Sequence, residues 1–174
     1  MSNSIDLYIK DTCILIDLIE LDLMESFYKL KLKIITTNQV VSEITDIKQS
    51  DILKELISAG VVQVDNNGKF ENINNLYQAC PGLSFTDCSV IELAVRKKGF
   101  ILSSDGGLRK YAHLNSISVN GVLWIIEELV NKKILTLENA LSKLALYLDI
   151  NDRAPKKDIA TLIKKLSKVP VTIN

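Results

Sequence analysis

Short apolar segments alternate with amphipathic segments along the first 120 residues of the chain. Ile5–Ile9 and Ile34–Thr37 each have the length and composition of a buried strand. Helical spacing follows both, and Ser84–Lys98 is the best-defined predicted helix because Ser84-Phe85-Thr86-Asp87 has the spacing of a capping box and Gly99 supplies a stop. The predicted inner face of that helix contains Val90, Ile91, Ala94 and Val95.

Three more strands are predicted at Val61–Val64, Phe100–Ser104 and Ser116–Val119. Because strands alternate with helices, we expect an α/β fold of the three-layer α/β/α type with a mainly parallel central sheet. Ligands of such sheets bind beyond the carboxyl ends of the strands. Candidate functional residues are therefore expected at those ends.

After Gly121 the pattern is wholly helical, with a leucine stripe from Leu137 to Leu148 and a helix opened by Pro155. We therefore predict a domain at residues 1–120 and a helical C-terminal extension at residues 121–174 that packs on the same domain. The extension is expected to cover the site, to pair subunits of a homo-oligomer or to receive a partner.

The composition is that of a globular protein, with 174 residues, 47% hydrophobic residues and a net charge of zero. Any contact with nucleic acid must therefore come from local cations rather than from a global field. Three cysteines cannot all pair, and we expect Cys13 and Cys88 to be buried, reduced thiols. The chain shows neither a basic leader nor an apolar run that could cross a membrane, so we expect a cytoplasmic protein.

Four acidic residues occupy positions where a parallel sheet gathers ligands. Asp11 and Asp105 follow the first and fourth predicted strands, Asp87 lies in a first helical turn, and Glu43 lies early in the helix after the second strand. Each has a simpler explanation: Asp11 and Asp87 as helix caps, Asp105 as part of an Asp-Gly-Gly turn, and Glu43 as a solvated surface residue. One shared site explains the four positions better than four coincidences.

Four segments also resemble the motifs of the PIN-domain family, in the family's order: Ile9–Asp17, Val40–Ile44, Ser84–Ala94 and Ile101–Asp105. The resemblance covers about residues 5–120. It implies an acidic quartet that serves as both metal ligands and catalytic residues, Asp11, Glu43, Asp87 and Asp105, with Thr12 and Ser104 as supporting polar groups.

The resemblance implies a metal-dependent ribonuclease, and many relatives are VapC-type toxins that an antitoxin protein holds inactive. Carboxylates suit Mg²⁺ or Mn²⁺, whereas Zn²⁺ favours histidine or thiolate, and His113 is the only histidine. The expected nucleophile is therefore a metal-activated water that hydrolyses an RNA phosphodiester. Arg109 and Lys110 are better candidates for weak contacts to substrate phosphates than Arg96, Lys97 and Lys98, which the helix dipole explains.

Two other protein classes also fit parts of the pattern. A catalytically silent PIN-like module would bind RNA or protein and keep the acidic residues for stability. A receiver or haloacid-type phosphatase also places aspartates at strand ends, but Asp11-Thr12-Cys13 lacks the phosphatase pair of aspartates. No glycine-rich phosphate loop follows the first strand, which argues against a Rossmann enzyme.

Overall fold

The computed structural model describes residues 6–9 and 13–168, with side chains described from Cys13 onward. The strands within these residues are β1 Asp6–Ile9, β2 Lys33–Thr37, β3 Val62–Asp65, β4 Phe100–Leu102 and β5 Val119–Asn120. The helices are α1 Cys13–Glu20, α2 Met24–Lys29, α3 Asn38–Glu43, α4 Ile47–Ser58, α5 Phe70–Ala79, α6 Phe85–Lys97, α7 Gly106–Leu114, α8 Val122–Asn131, α9 Leu137–Ile150 and α10 Lys156–Leu166.

The five strands form one sheet in the order β3-β2-β1-β4-β5. Every pair of neighbouring strands is parallel, and in the centre Ile9 of β1 is in register with Leu102 of β4. The prediction of an α/β fold with a mainly parallel sheet is thus confirmed. Since all strands point the same way, the residues that follow them emerge at one edge, the carboxyl edge.

The chain divides into two compact units. The first contains Lys31–Gly121 together with the chain up to Ile16, and it holds the sheet. The second contains Asp17–Leu30 and the chain from Val122 onward.

Helix α6 contributes five of the 13 described buried residues in the hydrophobic core cluster of the first unit. Residues 87–94 of α6 are all buried, and the helix packs against β1, β2 and β4. A capping box fixes its start at Ser84, as the sequence predicts, and Lys98 ends it in the left-handed conformation with φ of 54°. Val95 is 61% exposed, so its predicted place on the inner face is wrong.

Two helices of the first unit, α5 and α7, have no counterpart in the sequence prediction. Three asparagine residues weaken the helical pattern of α5, and two glycines open α7. Asp105 nevertheless caps α7, so the expected plain turn at Asp105 is the start of a helix. Cys88 is buried as expected, but Cys13 is exposed.

The second unit is helical. Its helices α8, α9 and α10 pack against one another, and α2 packs against α8. Inside it, the hydroxyl of Tyr147 donates a hydrogen bond of 3.4 Å to the buried carboxylate of Asp17 and accepts one of 3.1 Å from Asn151. In the part of the chain that the structure describes, no helix has the length and apolar character needed to cross a membrane.

Candidate functional site

The carboxyl edge of the sheet carries Ser104 and Asp105, two of the residues that the sequence singles out. Thr37, Asp65 and Asn120 end β2, β3 and β5, and Ser103, Ser104 and Asp105 follow β4. Asp11 and Thr12 lie outside the described residues. The end of β1 that precedes them is in register with the end of β4, which precedes Asp105.

Asp87 lies in the first turn of α6 and is only 5% exposed. Its Oδ2 accepts two hydrogen bonds of 2.8 Å, one from the backbone N–H and one from the hydroxyl of Ser84. Its own N–H donates to Oγ of Ser84 at 3.0 Å. These three hydrogen bonds hold the carboxylate in a fixed position at the amino end of the helix.

Asp105 is half-buried and is held from two sides. Its Oδ1 accepts a hydrogen bond of 2.8 Å from the N–H of Leu108, which caps α7. Its own N–H donates to Oγ of Ser103, a fully buried residue, at 3.0 Å. The side chain is therefore anchored directly beyond the end of β4, whereas neighbouring Ser104 is exposed.

The turn that precedes the helix of Asp87 and the turn that follows Asp105 meet at Gly107. A methyl group added to Gly107 would lie 3.3 Å from Oδ1 of Asp105 and 3.8 Å from the carbonyl oxygen of Gly82. The side chain of Leu83, which directly precedes the α6 cap, lies 4.0 Å from the same point. The fold thus packs the segment that starts the helix of Asp87 against the turn that carries Asp105.

Glu43 is the last residue of α3, and its side chain is exposed. Thr37 caps the start of this helix, and its Oγ1 accepts a hydrogen bond of 3.3 Å from the N–H of Val40. The same oxygen lies 2.8 Å from Oγ of Ser89 in α6. A buried hydroxyl pair therefore joins the helix that carries Glu43 to the helix that carries Asp87.

Within residues 6–9 and 13–168, no three histidine, cysteine, aspartate or glutamate side chains are close enough together to hold a metal ion. Asp87 and Asp105 each use one carboxylate oxygen in a cap, and Glu43 reaches into solvent. The predicted quartet includes Asp11, which is not among these residues.

A second charged cluster lies in a small polar cleft beside the ends of β2 and β3. Arg96 of α6 donates to Asp65 at 2.5 Å and to Glu92 at 2.9 Å, and both carboxylates are less than 10% exposed. Burial acts to raise the pKa of Asp65, but the hydrogen bonds from Arg96 and from the N–H of Asn67, together with the charge of Arg96, outweigh it, so the pKa lies below its usual value. The same contacts raise the pKa of Arg96.

This cluster is absent from the sequence-based set of functional residues. The spacing of four residues between Glu92 and Arg96 is a detectable signal, because such pairs meet on one helix face. The partner in β3, 31 residues earlier in the chain, gives no such signal. The hydrogen bonds from Arg96 to Asp65 tie the end of β3 to α6, and the cluster thereby orders the carboxyl edge.

The two predicted phosphate contacts differ in how they are held. Arg109 is half-buried, and its Nη1 donates to the carbonyl oxygen of Ser103 at 3.1 Å. Lys110 is exposed. The guanidinium of Arg109 is thereby fixed beside the end of β4, near the segment that carries Asp105.

The model of the family DUF3368, described as a PIN domain, matches residues 7–168. The match extends beyond the motifs at about residues 5–120 and includes the helices after Gly121. No curated protein matches the chain. The prediction of the family is confirmed. PIN domains have a nuclease-like fold, generally bind nucleic acid and typically use divalent metal ions. The chain belongs to the PIN-domain family.

Proposed function

We propose that this protein is a divalent-metal-dependent ribonuclease that hydrolyses RNA phosphodiester bonds. The observation that supports this most directly is the contact at Gly107, where the segment leading to Asp87 packs against the turn that carries Asp105. The Thr37–Ser89 hydrogen bond adds the helix of Glu43 to the same neighbourhood. Three of the four proposed acidic residues are thus carried by segments that contact one another.

The proposed ligands of Mg²⁺ or Mn²⁺ are Asp11, Glu43, Asp87 and Asp105, with Thr12 and Ser104 as supporting groups. The donor set fits these ions, because it consists of carboxylate and hydroxyl oxygens. His113, the only histidine, is exposed at the end of α7 and is not part of the set. When bound, such an ion would lower the pKa of a water ligand and would place positive charge beside the phosphodiester.

The residues themselves have separate tasks in this proposal. The caps hold Asp87 and Asp105 in fixed positions, which limits the reorganisation that a productive arrangement requires. Glu43 is exposed and is free to turn toward the other carboxylates. Arg109 orients a substrate phosphate with the N–H groups that Ser103 does not use, and Lys110 adds a second, weaker contact.

The proposal extends to the role in the cell. By its resemblance to VapC-type proteins, the chain is proposed to be the toxin of a toxin–antitoxin pair, acting on RNA in the cytoplasm. Its partners would be RNA, an antitoxin protein and further copies of the chain in a homo-oligomer. The exposed carboxylate of Glu43 would be accessible to a basic group of an inhibitor.

One observation favours a second candidate, a catalytically silent PIN-like module that binds RNA or protein. Asp87 and Asp105 both have complete structural tasks as helix caps without any metal. In that case these two residues would contribute stability alone. Asparagine also serves as an N-cap at position 105, and at position 87 its side-chain oxygen can still accept from Ser84, so an Asp→Asn change at either position separates the structural role from metal binding.

The test is the cleavage of a fluorescently labelled RNA by wild type, Asp87→Asn and Asp105→Asn with Mn²⁺ and with EDTA. A ribonuclease predicts cleavage by wild type with Mn²⁺, loss of at least about 100-fold in both variants and no cleavage in EDTA. Asp51→Asn, which changes an exposed carboxylate in α4, is the matched control and should cut like wild type. Cleavage at the wild-type rate by both cap variants, or none by wild type, would favour the silent module.

A further inference from the structure

Three aromatic side chains cluster where α5 meets the first residue of α6. The ring of Phe85 lies between two others, with its centroid 5.6 Å from that of Phe70 and 5.9 Å from that of Tyr77. Phe70 is 70% exposed and Tyr77 is 44% exposed. We call these three residues, Phe70, Tyr77 and Phe85, the aromatic face.

The core of the first unit does not account for the outer two rings. Helix α5 contacts the core through buried Ile73 and half-buried Leu76, and Phe85 packs against the core from α6. Phe70 and Tyr77 rest on Phe85 and leave much of their own surface in water. Two large rings exposed side by side indicate a surface that binds something.

The aromatic face borders the candidate site. Phe85 is the first residue of α6 and directly follows Ser84, the residue that caps the helix and holds Asp87. Phe85 and Asp87 are two residues apart, which corresponds to about 3 Å along a helix axis. The aromatic face therefore lies at the same end of α6 as Asp87.

We propose that the aromatic face stacks the unpaired bases of single-stranded RNA beside the candidate cleavage site. The proposal rests on the proposed ribonuclease function for the identity of the ligand, and it specifies the class of RNA. Every base has a π face that stacks on an aromatic ring, but a duplex hides those faces. Rings at this place thus favour a single strand over a double helix.

The rest of the α5 surface suits a nucleic acid better than an apolar protein partner. Apart from the two rings and Ala79, the exposed residues of α5 are polar: Glu71, Asn72, Asn75 and Gln78. Asn74 lies one helical turn from both Phe70 and Tyr77. Amide side chains donate to and accept from the edges of bases. Exposed Lys69, which precedes Phe70, adds a cation for a phosphate.

The test measures the Kd of a short, unstructured, labelled RNA by fluorescence anisotropy in EDTA, so that no cleavage interferes. Phe70→Ala and Tyr77→Ala should each weaken binding about tenfold, as expected for the loss of one stacked base. Phe70→Trp should bind at least as tightly as wild type, whereas Phe70→Leu, which is apolar but cannot stack, should bind about as weakly as Phe70→Ala. The Kd of a duplex should not change in any of these variants.

The matched control is Ile47→Ala, which removes an apolar side chain that is 76% exposed in α4 and should leave the Kd unchanged. Unchanged binding in Phe70→Ala and Tyr77→Ala, or full binding by Phe70→Leu, would overturn the proposal. A change of oligomeric state on size-exclusion chromatography in place of a change in RNA affinity would assign the face to a protein contact and would overturn it as well.

The failure of this proposal is distinguishable from the failure of the proposed function. Mn²⁺-dependent cleavage by wild type with unchanged Kd values in the ring variants would leave the nuclease standing and remove the aromatic face. Weaker RNA binding in the ring variants without any cleavage by wild type would support the aromatic face and remove the nuclease. A wild-type protein that binds no single-stranded RNA would overturn the aromatic face regardless of cleavage.

Discussion

The hydroxyl oxygens of Thr37 and Ser89 lie 2.8 Å apart in the interior of the first unit. Ser89 donates its only hydroxyl proton to the carbonyl oxygen of Thr86 at 2.7 Å, so Thr37 must be the donor of the pair. Thr37 in turn accepts from the N–H of Val40. A directed chain of hydrogen bonds therefore runs from the start of α3, through Thr37, to the first turns of α6.

Replacing Thr37 by valine should break this chain at its centre. The change removes the cap of α3 and leaves Ser89 without a donor, so we expect the free energy of unfolding to fall by about 1–3 kcal/mol. The position of Glu43 relative to Asp87 should loosen as well, which predicts weaker Mn²⁺ binding. Urea unfolding and a Mn²⁺ titration check the two effects.

Thr37→Ser is the matched control, because serine keeps the hydroxyl that both caps the helix and donates to Ser89. It should retain wild-type Mn²⁺ affinity and most of the stability. If Thr37→Val unfolds at the same urea concentration as wild type, the hydrogen-bond chain has no energetic role.

Gly107 and Gly106 provide a matched pair of alanine substitutions in α7. A methyl group at Gly107 would lie 3.3 Å from Oδ1 of Asp105, tighter than an ordinary van der Waals contact, whereas one at Gly106 would meet no atom within 4 Å. Gly107→Ala should therefore displace the carboxylate and reduce Mn²⁺ affinity and RNA cleavage severalfold. Gly106→Ala should leave both unchanged and gain up to about 1 kcal/mol of helix stability. Equal Mn²⁺ affinities for the two variants would show that the Asp105 carboxylate does not need its present position.

The Asp65–Arg96–Glu92 cluster predicts a pH-dependent loss of stability in Arg96→Met. Removal of the cation leaves two buried carboxylates unpaired, which costs about 3–5 kcal/mol near pH 7. In wild type the pKa of Asp65 is lowered by Arg96, so its stabilising contribution is present above the usual value near 3.9 and is lost as pH falls through the lowered pKa. The difference between wild type and variant should thus be largest near pH 7 and shrink below about pH 4.

Chemical denaturation at several pH values measures this difference. Lys54→Met is the control, since it removes a cation from an exposed pair with Asp51 and should change stability by less than about 1 kcal/mol. A constant difference between wild type and Arg96→Met from pH 7 to pH 3 would mean that the cluster does not govern the ionisation of Asp65.

The sequence predicts the regular parts of the fold because they follow from local patterns. The apolar strands, the capping box of α6 and the strand end before Asp105 are all readable within a few residues. Contacts across the chain are not readable in this way, and Thr37 and Ser89 are separated by 52 positions. The role of Gly107 depends on the packing of another loop against it, so its glycine signals only a turn in the sequence.

The aromatic face shows a second limit of the sequence. Three of the ten residues of helix α5 are asparagine, a weak helix former, and the turn signal Asp65-Asn66-Asn67-Gly68 lies just before it. Contacts with α6, on which Ile73 and Leu76 pack, stabilise its inward face. A local pattern therefore indicates a loop where tertiary packing stabilises a helix.

The cysteines are expected to differ in their reactivity toward an alkylating reagent. Burial, together with the nearby Cys80 and the Asp87 charge, raises the pKa of Cys88 to about 11, so this thiol stays protonated between pH 7 and pH 9. Cys13 is exposed. Mass spectrometry after brief treatment with iodoacetamide should find Cys13 modified first and Cys88 unmodified until the protein unfolds. Early modification of Cys88 in folded protein would contradict its burial in the core.

The most direct test of the shared acidic site is to measure how many Mn²⁺ ions wild type and four single variants bind, and with what affinity. Electron paramagnetic resonance measures the concentration of free Mn²⁺ in this titration. The variants are Asp11→Asn, Glu43→Gln, Asp87→Asn and Asp105→Asn, with Asp51→Asn as the exposed control. A common site predicts that each of the four weakens Mn²⁺ binding at least about tenfold, while the control binds like wild type. Wild-type affinity in any two of the four would contradict a site built from these carboxylates.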